Sequence, residues 1–222
     1  MDEVDALTPV AQDYLKVIWA ATEWGEPPIT TKGLASRFGT TQANVSETVR
    51  RLASQGLVDY EPYRPVVLTE RGIRLAMAMV RRHRLIECFL AGVLGYGWDE
   101  VHDEAERLEH AVTDDFLTRI DRLLDHPRFD PHGDPIPSAD GTLPAAAPAI
   151  LLADAGPGWH LVARVSDADP DVLARLRSRG LVPGVVLDSA DLDLADPDLA
   201  AVRVRPAPAS LLSSPGRSGD PG

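Results

Sequence analysis

The chain has 222 residues, 44% of them hydrophobic, and its 34 acidic and 22 basic residues give a net charge of −12. A single cysteine, Cys88, excludes a disulfide framework, and no apolar run approaches the about 18 residues of a membrane helix. The acidic excess argues against a protein that coats nucleic acid without sequence preference, because such binding depends on Lys and Arg. The acidic start MDEVDALTPV is unlike a signal peptide, and we expect a cytoplasmic protein with no membrane partner.

The first third of the chain has the pattern of a winged helix-turn-helix. A threonine-proline start and apolar residues at helical spacing predict a first helix over 9–24. Two short helices follow at 30–39 and 40–56, each closed by a glycine, and the alternating stretch 57–72 predicts a two-stranded hairpin. Two helices joined by a tight turn and followed by a hairpin are typical of a DNA-binding module. A small helical bundle without a DNA function is the alternative interpretation.

The predicted recognition helix over 40–56 carries small polar side chains at its start, where such helices enter the major groove. Arginines at its far end and at the tip of the hairpin are placed to contact phosphates. Five arginines and four acidic residues lie between 42 and 75, so this patch is barely positive, and we expect DNA binding to depend on a dimer. Each Ser or Thr taken singly is better explained by capping or hydration, so the prediction rests on the cluster. The candidate DNA-contacting residues are Thr40, Thr41, Gln42, Asn44, Ser46, Thr48, Arg50, Arg51 and Arg64.

Potential metal ligands concentrate in the next two predicted helices. The fourth predicted helix, over 70–94, carries a histidine and a glutamate one turn apart. The fifth predicted helix, which begins near 98, carries two histidines and two glutamates within 102–110. At about 100° per residue, the last four side chains fall within an arc of roughly 100°. Histidines and carboxylates on facing helices predict a divalent-metal site, whereas a hydrated charged face, the alternative, would usually include lysine. The six residues are His83, Glu87, His102, Glu106, Glu109 and His110.

The winged helix, the pair His83-x-x-x-Glu87 and the run HDEAERLEH at 102–110 resemble the diphtheria-toxin-repressor family of metal-dependent transcriptional regulators. The resemblance is strong over about 8–140 and points most of all to the three-domain manganese transport regulators. It implies a mainly α fold with small β parts: a winged helix-turn-helix, a helical metal-binding dimerisation domain and an SH3-like small barrel. It also implies a repressor, not an enzyme, that binds double-stranded operator DNA as a homodimer and controls metal homeostasis.

The resemblance further implies two metal sites. The principal site would use Asp13, Glu106, Glu109 and His110, and the second would use His83, Glu87, His102 and, from the C-terminal domain, Asp169. Iron-responsive members have Met and Cys where this chain has Asp13 and Glu106, and carboxylates there favour Mn²⁺, with Fe²⁺ as the alternative. Lys16 stands where short manganese regulators have a glutamate that helps to bridge two ions, so we expect two separate sites rather than a paired-metal cluster.

Composition divides the rest of the chain. The stretch 126–148 holds six prolines and two glycines, which predicts an irregular linker. Beyond it, 149–167 predicts a hairpin, and Asp169-Pro170 predicts the start of a short helix that stops at Gly180. We expect a DNA-binding domain at 1–75, a dimerisation and metal-binding domain at 76–147, an SH3-like domain at 148–208 and a disordered tail at 209–222.

Two helices offer more apolar surface than one small domain needs, and we interpret the surplus as a dimer interface. In this hypothesis, metal ties Asp13 to the fifth helix and sets the separation of two recognition helices, which a palindromic site requires at about 34 Å. Without metal, Asp13, Glu106 and Glu109 would repel one another. The interface residues would be Met77, Val80, Ile86, Phe89 and Leu90 on the fourth helix, and Phe116, Leu117, Ile120, Leu123 and Leu124 on a sixth helix at 114–125.

Two other classes of function stay open from the sequence. A winged-helix regulator that senses an organic ligand would use the histidines and glutamates only structurally. A di-metal carboxylate enzyme of the four-helix type needs two Glu-x-x-His motifs, and neither predicted helix supplies one. We therefore expect no small organic substrate. His132, Trp159 and His160 are interpreted as packing or hydrated residues rather than ligands.

Overall fold

The computed structural model describes residues 3–212, which divide into two compact units. The first unit comprises the described residues up to Ile86 together with Ala105–Arg128 and Ile136–Pro144. The second comprises Glu87–Glu104, Phe129–Pro135 and the described residues from Ala145 onward. This division cuts across the predicted central domain, whose boundaries stay a prediction. Among the described residues, no helix is both long enough and apolar enough to cross a membrane.

The first unit begins with a winged helix-turn-helix. Its elements are α1 (Pro9–Glu23), α2 (Thr31–Arg37), α3 (Gln42–Ser54), β1 (Val58–Asp59) and β2 (Val67–Leu68). Each of these helices begins after a threonine whose hydroxyl accepts a backbone N–H of the first turn, which satisfies a donor that the helix leaves free. β1 and β2 are antiparallel and shorter than the predicted hairpin, because Pro62 and Pro65 lie between them and have no N–H to donate.

Helix α1 is packed firmly onto the helix-turn-helix. Leu15 of α1, Leu34 of α2 and Leu52 of α3 are fully buried in one apolar core. The ring of Tyr14 also stacks on Phe38, with ring centroids 4.4 Å apart. The side chains of α1 are therefore held in a fixed relation to the recognition helix.

Three more helices follow: α4 (Glu70–Gly92), α5 (Val101–Leu108) and α6 (Asp114–Leu123). The sequence predicted a longer fifth helix, but α5 ends at Leu108 because Thr113 already caps a separate helix, α6. Glu109 and His110 consequently lie in the turn after α5, although the Glu109 N–H still donates to the carbonyl of Ala105. The four predicted ligands therefore do not all lie on one helix, because Glu109 and His110 follow its end.

The apolar residues of α4 are not the free surface that the sequence predicted. Met77, Val80, Ile86 and Leu90 are buried within the single chain, as are Leu117 and Ile120 of α6. Exposed apolar side chains remain on α6, where Phe116 is 43% and Leu123 is 64% exposed. These two residues are seven positions apart and so lie on one helix face.

The second unit contains a four-stranded antiparallel sheet. Its elements are β3 (Ile150–Leu151), β4 (Trp159–Val165), α7 (Pro170–Ser178), β5 (Val186–Asp188) and β6 (Val202–Pro206), with strand order β3-β6-β4-β5. The predicted hairpin over 149–167 is wrong, because β6 lies between β3 and β4. The predicted start of α7 at Asp169-Pro170 is confirmed. A final short helix, α8 (Ala209–Leu212), occupies the start of the predicted disordered tail, whose remainder lies outside the described residues.

A tight loop at 129–135 is fixed against β4. Oδ1 of Asp130 accepts the backbone N–H groups of His132 and Asp134, each at 2.9 Å. The carbonyl of His132 accepts the N–H of Val165. Gly133 has φ +87°, and a β-carbon there would lie 2.1 Å from the carbonyl oxygen of Ala163. The loop therefore needs glycine both for its backbone conformation and for its close approach to the strand.

Replacing Gly133 should reveal this close approach. Gly133→Ala adds both left-handed backbone strain and a collision with the carbonyl of a strand residue. The strain alone costs about 1–2 kcal/mol, and we expect the free energy of unfolding to fall by clearly more than that. The matched control is Gly25→Ala, because Gly25 has the same φ and its added methyl would meet no described atom within 4 Å. Urea unfolding measures both variants, and equal losses would contradict a tight fit at Gly133.

Candidate metal centre

The first candidate centre lies between α1 and the turn after α5. Nε2 of His110 is 2.9 Å from Oδ1 of Asp13 and 3.7 Å from Oε1 of Glu109. Nδ1 of His110 is 2.7 Å from Oε1 of Gln12, whose amide nitrogen donates to the carbonyl of Val4. Because the Gln12 oxygen can only accept, Nδ1 carries the imidazole proton and Nε2 presents a lone pair. That lone pair faces Oδ1 of Asp13, which is buried and accepts no hydrogen bond from any described residue.

Two electron-rich atoms that face each other at this distance call for a cation between them. Burial raises the pKa of the Asp13 carboxyl above its ordinary value, and this effect exceeds the lowering by Lys16 and even by a protonated His110. The charged form of Asp13 is thus incompletely compensated by the protein itself. Ligand atoms of Asp13, Glu109 and His110 lie within 4.8 Å of one another, and carboxylate oxygens with one imidazole nitrogen suit Mn²⁺ or Fe²⁺. The residues fit a divalent metal ion.

Glu109 links this centre to α4. Its side chain is fully buried, and its Oε2 lies 2.6 Å from Nδ1 of His83. Its Oε1 lies 2.6 Å from the ammonium nitrogen of Lys16, which is also 2.6 Å from Oε1 of Glu106. His83, assigned to the second site by the sequence, therefore contacts a residue of the principal site. Lys16 offsets the repulsion that the sequence predicted between the carboxylates in the absence of metal.

The charges of this group support one another. Burial alone would lower the pKa of Lys16, but the carboxylates of Glu109 and Glu106 outweigh it and raise that pKa, so the ammonium is charged. Burial would raise the pKa of Glu109, but hydrogen bonds and charges from His83 and Lys16 lower it. A fully buried carboxylate is tolerated when such partners surround it. Glu109 is therefore ionised.

The second unit contains another group of potential ligands. Nδ1 of His102 lies 3.0 Å from Oδ2 of Asp167 and 3.5 Å from Oε1 of Glu87. Asp169, the predicted ligand, instead caps α7, where its Oδ1 accepts the N–H groups of Asp171 and Val172. The metal-binding role of Asp169 stays a prediction, and Asp167 is the carboxylate that lies beside His102. Matching this sequence to the family position by position could not distinguish Asp167 from Asp169, because the two aspartates are only two residues apart.

His132, which we interpreted from the sequence as a packing or hydrated residue rather than a ligand, extends the second group. Its Nε2 donates to the carbonyl of Trp98 at 2.7 Å, so its Nδ1 carries a lone pair. This Nδ1 is buried, has no hydrogen-bond partner within residues 3–212, and lies 3.9 Å from Oε2 of Glu87. Ligand atoms of Glu87, Asp130 and His132 lie within 4.8 Å of one another. The Asp-x-His-Gly run at 130–133 was the available signal, because it places two donors on one tight loop.

Comparison with known proteins shows the family to which the chain belongs. Residues 6–66 match the family described as "Iron dependent repressor, N-terminal DNA binding domain", and residues 69–138 match "Iron dependent repressor, metal binding and dimerisation domain". The chain is 34% identical over 192 residues to the iron-dependent repressor IdeR of Mycobacterium tuberculosis. The aligned region covers 81% of this chain and 83% of the relative. It therefore belongs to the diphtheria-toxin-repressor family. This family consists of metal-dependent transcriptional repressors, not enzymes.

Solved structures of family members extend the match to almost the whole chain. A manganese-dependent transcriptional repressor in complex with manganese has a TM-score of 0.79 and 45% identity, covering 89% of this chain and all of that one. ScaR with bound Zn²⁺ has a TM-score of 0.75 and 32% identity, covering 89% and 99%. The diphtheria toxin repressor of Corynebacterium diphtheriae is 35% identical over 153 residues, or 67% of each chain. The predicted fold class, with a winged helix and an SH3-like C-terminus, is confirmed.

The predicted DNA-facing residues are mostly exposed on α3 and the wing of this repressor. Gln42, Asn44, Arg50, Arg51 and Arg64 are exposed, while Thr40, Ser46 and Thr48 are half-buried. The Thr41 hydroxyl caps α3, and the Thr40 hydroxyl accepts the side-chain amide of Asn44. The role of each of these residues in DNA binding stays a prediction. The sequence interpretation omitted Tyr63, which is fully exposed beside Arg64 at the wing tip.

Gln12 should control the metal affinity of the first centre without being a ligand. It fixes the tautomer and orientation of His110, and loss of such a partner typically costs about 10–100-fold in metal affinity. Gln12→Leu should weaken Mn²⁺ binding to this extent in equilibrium dialysis against a chelator. The control is Gln55→Leu, which changes an exposed glutamine. Equal affinity in the two variants would show that His110 needs no such support.

The stability of the metal-free protein should fall at alkaline pH because of His102. Burial would lower the pKa of this imidazole from 6.5, but Asp167 and Glu87 outweigh it and raise the pKa to about 10. Stabilisation by a group whose pKa is raised on folding is complete below the unfolded value and is lost as pH rises through the folded value. Urea unfolding should therefore show a decline between pH 6.5 and about 10. His102→Gln should flatten this decline, and parallel curves for the two proteins would contradict the assignment.

Proposed function

We propose that this chain is a manganese-responsive repressor that acts in the cytoplasm, binds palindromic operator DNA as a homodimer when metal is bound, and so controls metal-ion homeostasis. One observation carries the proposal: the unprotonated Nε2 of His110 lies 2.9 Å from Oδ1 of Asp13, which accepts no hydrogen bond from any described residue. Asp13 belongs to α1, which packs on the DNA-binding elements, whereas His110 follows α5. A divalent ion between them would tie the two parts of the first unit together.

The donor atoms favour manganese over iron. Asp13 supplies a carboxylate oxygen where the resemblance gave a sulfur ligand to iron-responsive members, and hard oxygen ligands suit Mn²⁺. A family structure at 45% identity is described as a manganese-dependent repressor in complex with manganese, whereas the IdeR relatives are described as iron-dependent. Fe²⁺ is the alternative, because metal availability also decides which ion a site holds.

We further propose that the second unit binds its own ion. Its ligands would come from Glu87, His102, Asp130, His132 and Asp167. The bare Nδ1 of His132 and the carboxylate of Glu87, 3.9 Å apart, support this site. His83, which the resemblance assigned there, is hydrogen-bonded to Glu109 of the first centre and would orient that carboxylate.

The residues around Asp13 offer a direct route from the metal centre to DNA. Asp13 is followed by Tyr14, whose ring stacks on Phe38 at the end of α2 and which is buried in one core with Val49 of α3. When bound, the metal ion supplies a positive charge that holds Asp13 and His110 together. Asp13 would then hold α1, and Tyr14 would hold α2 and α3 in the position that DNA requires. Metal binding and DNA binding would strengthen each other by the same factor.

A second copy of the chain would supply the other recognition helix. The predicted interface on α4 is largely buried within one chain, so the proposed interface is narrower and centres on Phe116 and Leu123 of α6. These exposed apolar residues share one helix face, and a two-fold axis would place the same face of the partner against them. Two recognition helices about 34 Å apart could then read a palindrome.

DNA capture tests this function. Metal-stripped protein is incubated with fragments of the source genome at fixed salt, with no metal, with Mn²⁺, with Fe²⁺ under anaerobic conditions, or with Zn²⁺. We expect a palindromic sequence to be enriched with Mn²⁺, and the affinity for it to rise by about 5–150-fold over the metal-free protein. Asp13→Ala should lose this activation while sedimenting as a dimer.

Asp191→Ala, which changes an exposed aspartate of the second unit, should behave like the wild type. Equal DNA capture with and without metal would refute the metal switch and favour a regulator that senses an organic ligand. Activation by Fe²⁺ alone would keep the switch and replace manganese by iron. A monomer that binds the palindrome fully would refute the role of the second copy.

A further inference from the structure

Lys16 occupies the middle of a group that has the composition of a metal site. Ligand atoms of His83, Glu106 and Glu109 lie within 4.8 Å of one another. The ammonium nitrogen of Lys16 is 2.6 Å from an oxygen of Glu106, 2.6 Å from an oxygen of Glu109 and 3.4 Å from Nδ1 of His83. Lys16 is 8% exposed and Glu109 is fully buried, so their contact is shielded from solvent, whereas the Glu106 side chain is 39% exposed.

The charge of the first centre is balanced by one divalent ion and this ammonium. Asp13, Glu106 and Glu109 contribute three negative charges in the ionised state. A divalent ion beside Asp13 and His110 offsets two of them, and Lys16 offsets the third. A second divalent ion beside the retained ammonium would leave two excess positive charges in a buried position, which is costlier than the single excess charge left when such an ion replaces the ammonium.

We propose that Lys16 is a built-in cation that takes the place of a second metal ion among His83, Glu106 and Glu109. The ammonium remains bound to both glutamates when metal binds beside Asp13, and the first centre therefore accepts one exchangeable ion. The ammonium of Lys16 also keeps Glu106 and Glu109 in position before metal binds. This inference rests on the proposed function, because it takes the Asp13–His110 pair as the exchangeable site.

The two lysines of the chain allow a direct test on the unmodified protein. Lys16 and Lys32 are its lysines, and Lys32 is exposed. An amine-acetylating reagent is applied to the metal-free and the Mn²⁺-loaded wild type, and the modification of each lysine is followed by peptide mass spectrometry. We expect Lys32 to react quickly in both states and Lys16 to react at least about tenfold more slowly in both, because burial and ion pairing protect it. Faster acetylation of Lys16 after metal loading would show that metal displaces the ammonium, and would overturn the proposal.

Substitutions at Lys16 test the same proposal by metal counting. Lys16→Met removes the ammonium and leaves His83, Glu106 and Glu109 with a vacancy, so we expect one additional Mn²⁺ per chain in equilibrium dialysis. Lys16→Arg keeps the charge and should bind as many ions as the wild type. Lys32→Met is the matched control and should also match the wild type. Equal metal content in Lys16→Met and the wild type would overturn the proposal.

Thermal unfolding adds a readout that does not depend on counting ions. Metal-free Lys16→Met should unfold at a lower temperature than the wild type, because Glu109 loses its counter-charge, and Mn²⁺ should raise its unfolding temperature more than that of the wild type. An equal response to Mn²⁺ would speak against the proposal. Failure of the proposed function would instead appear as an Asp13→Ala chain that keeps the metal content and DNA activation of the wild type. The acetylation experiment needs no variant and decides the inference even where a substitution prevents folding.

Discussion

The buried charge of Glu109 organises the first unit. A carboxylate that is fully removed from water loses several kcal/mol of hydration, and it is retained only where hydrogen bonds and opposite charges replace the water. Lys16 from α1 and His83 from α4 supply these partners at 2.6 Å each. Three separate parts of the chain therefore converge on one side chain. The proposed exchangeable metal site lies at the edge of this group, where Asp13 and His110 would add the remaining donors.

The metal centre and the DNA-binding elements share a helix, and this explains how one could act on the other. On α1, Asp13 faces the centre, while Tyr14 and Leu15 are buried in the core with α2 and α3. Adjacent residues of one helix cannot move independently over distances of an ångström or more, because the i to i−4 hydrogen bonds keep them in register. A change at Asp13 is therefore also a change at Tyr14. No long chain of contacts is needed for the coupling.

Much of this arrangement could be predicted from the sequence. Helix α1 begins after Thr8 as predicted. Of the four residues that the resemblance assigned to the principal site, Asp13, Glu109 and His110 lie together, whereas Glu106 is paired with Lys16. Properties that depend on long-range pairing could not be predicted. The position of β6 between β3 and β4 is one example, since local alternation does not identify a strand's neighbours. Lys16 is another, because the sequence gave its place on a helix but not the two glutamates that its ammonium contacts. His132 was missed because a histidine in a proline-rich stretch has no periodicity to indicate which way it faces.

The contact between Gln12 and the start of the chain has a practical consequence. The Gln12 amide donates to the carbonyl of Val4 at 2.8 Å, and Asp5 is paired with the buried Arg82. The segment before α1 is thus part of the support that orients His110, although it carries none of the proposed ligands. A purification tag fused to this end would pull on that support and change the apparent metal affinity of the isolated protein. A tag at this end should therefore be cleaved before quantitative metal titration.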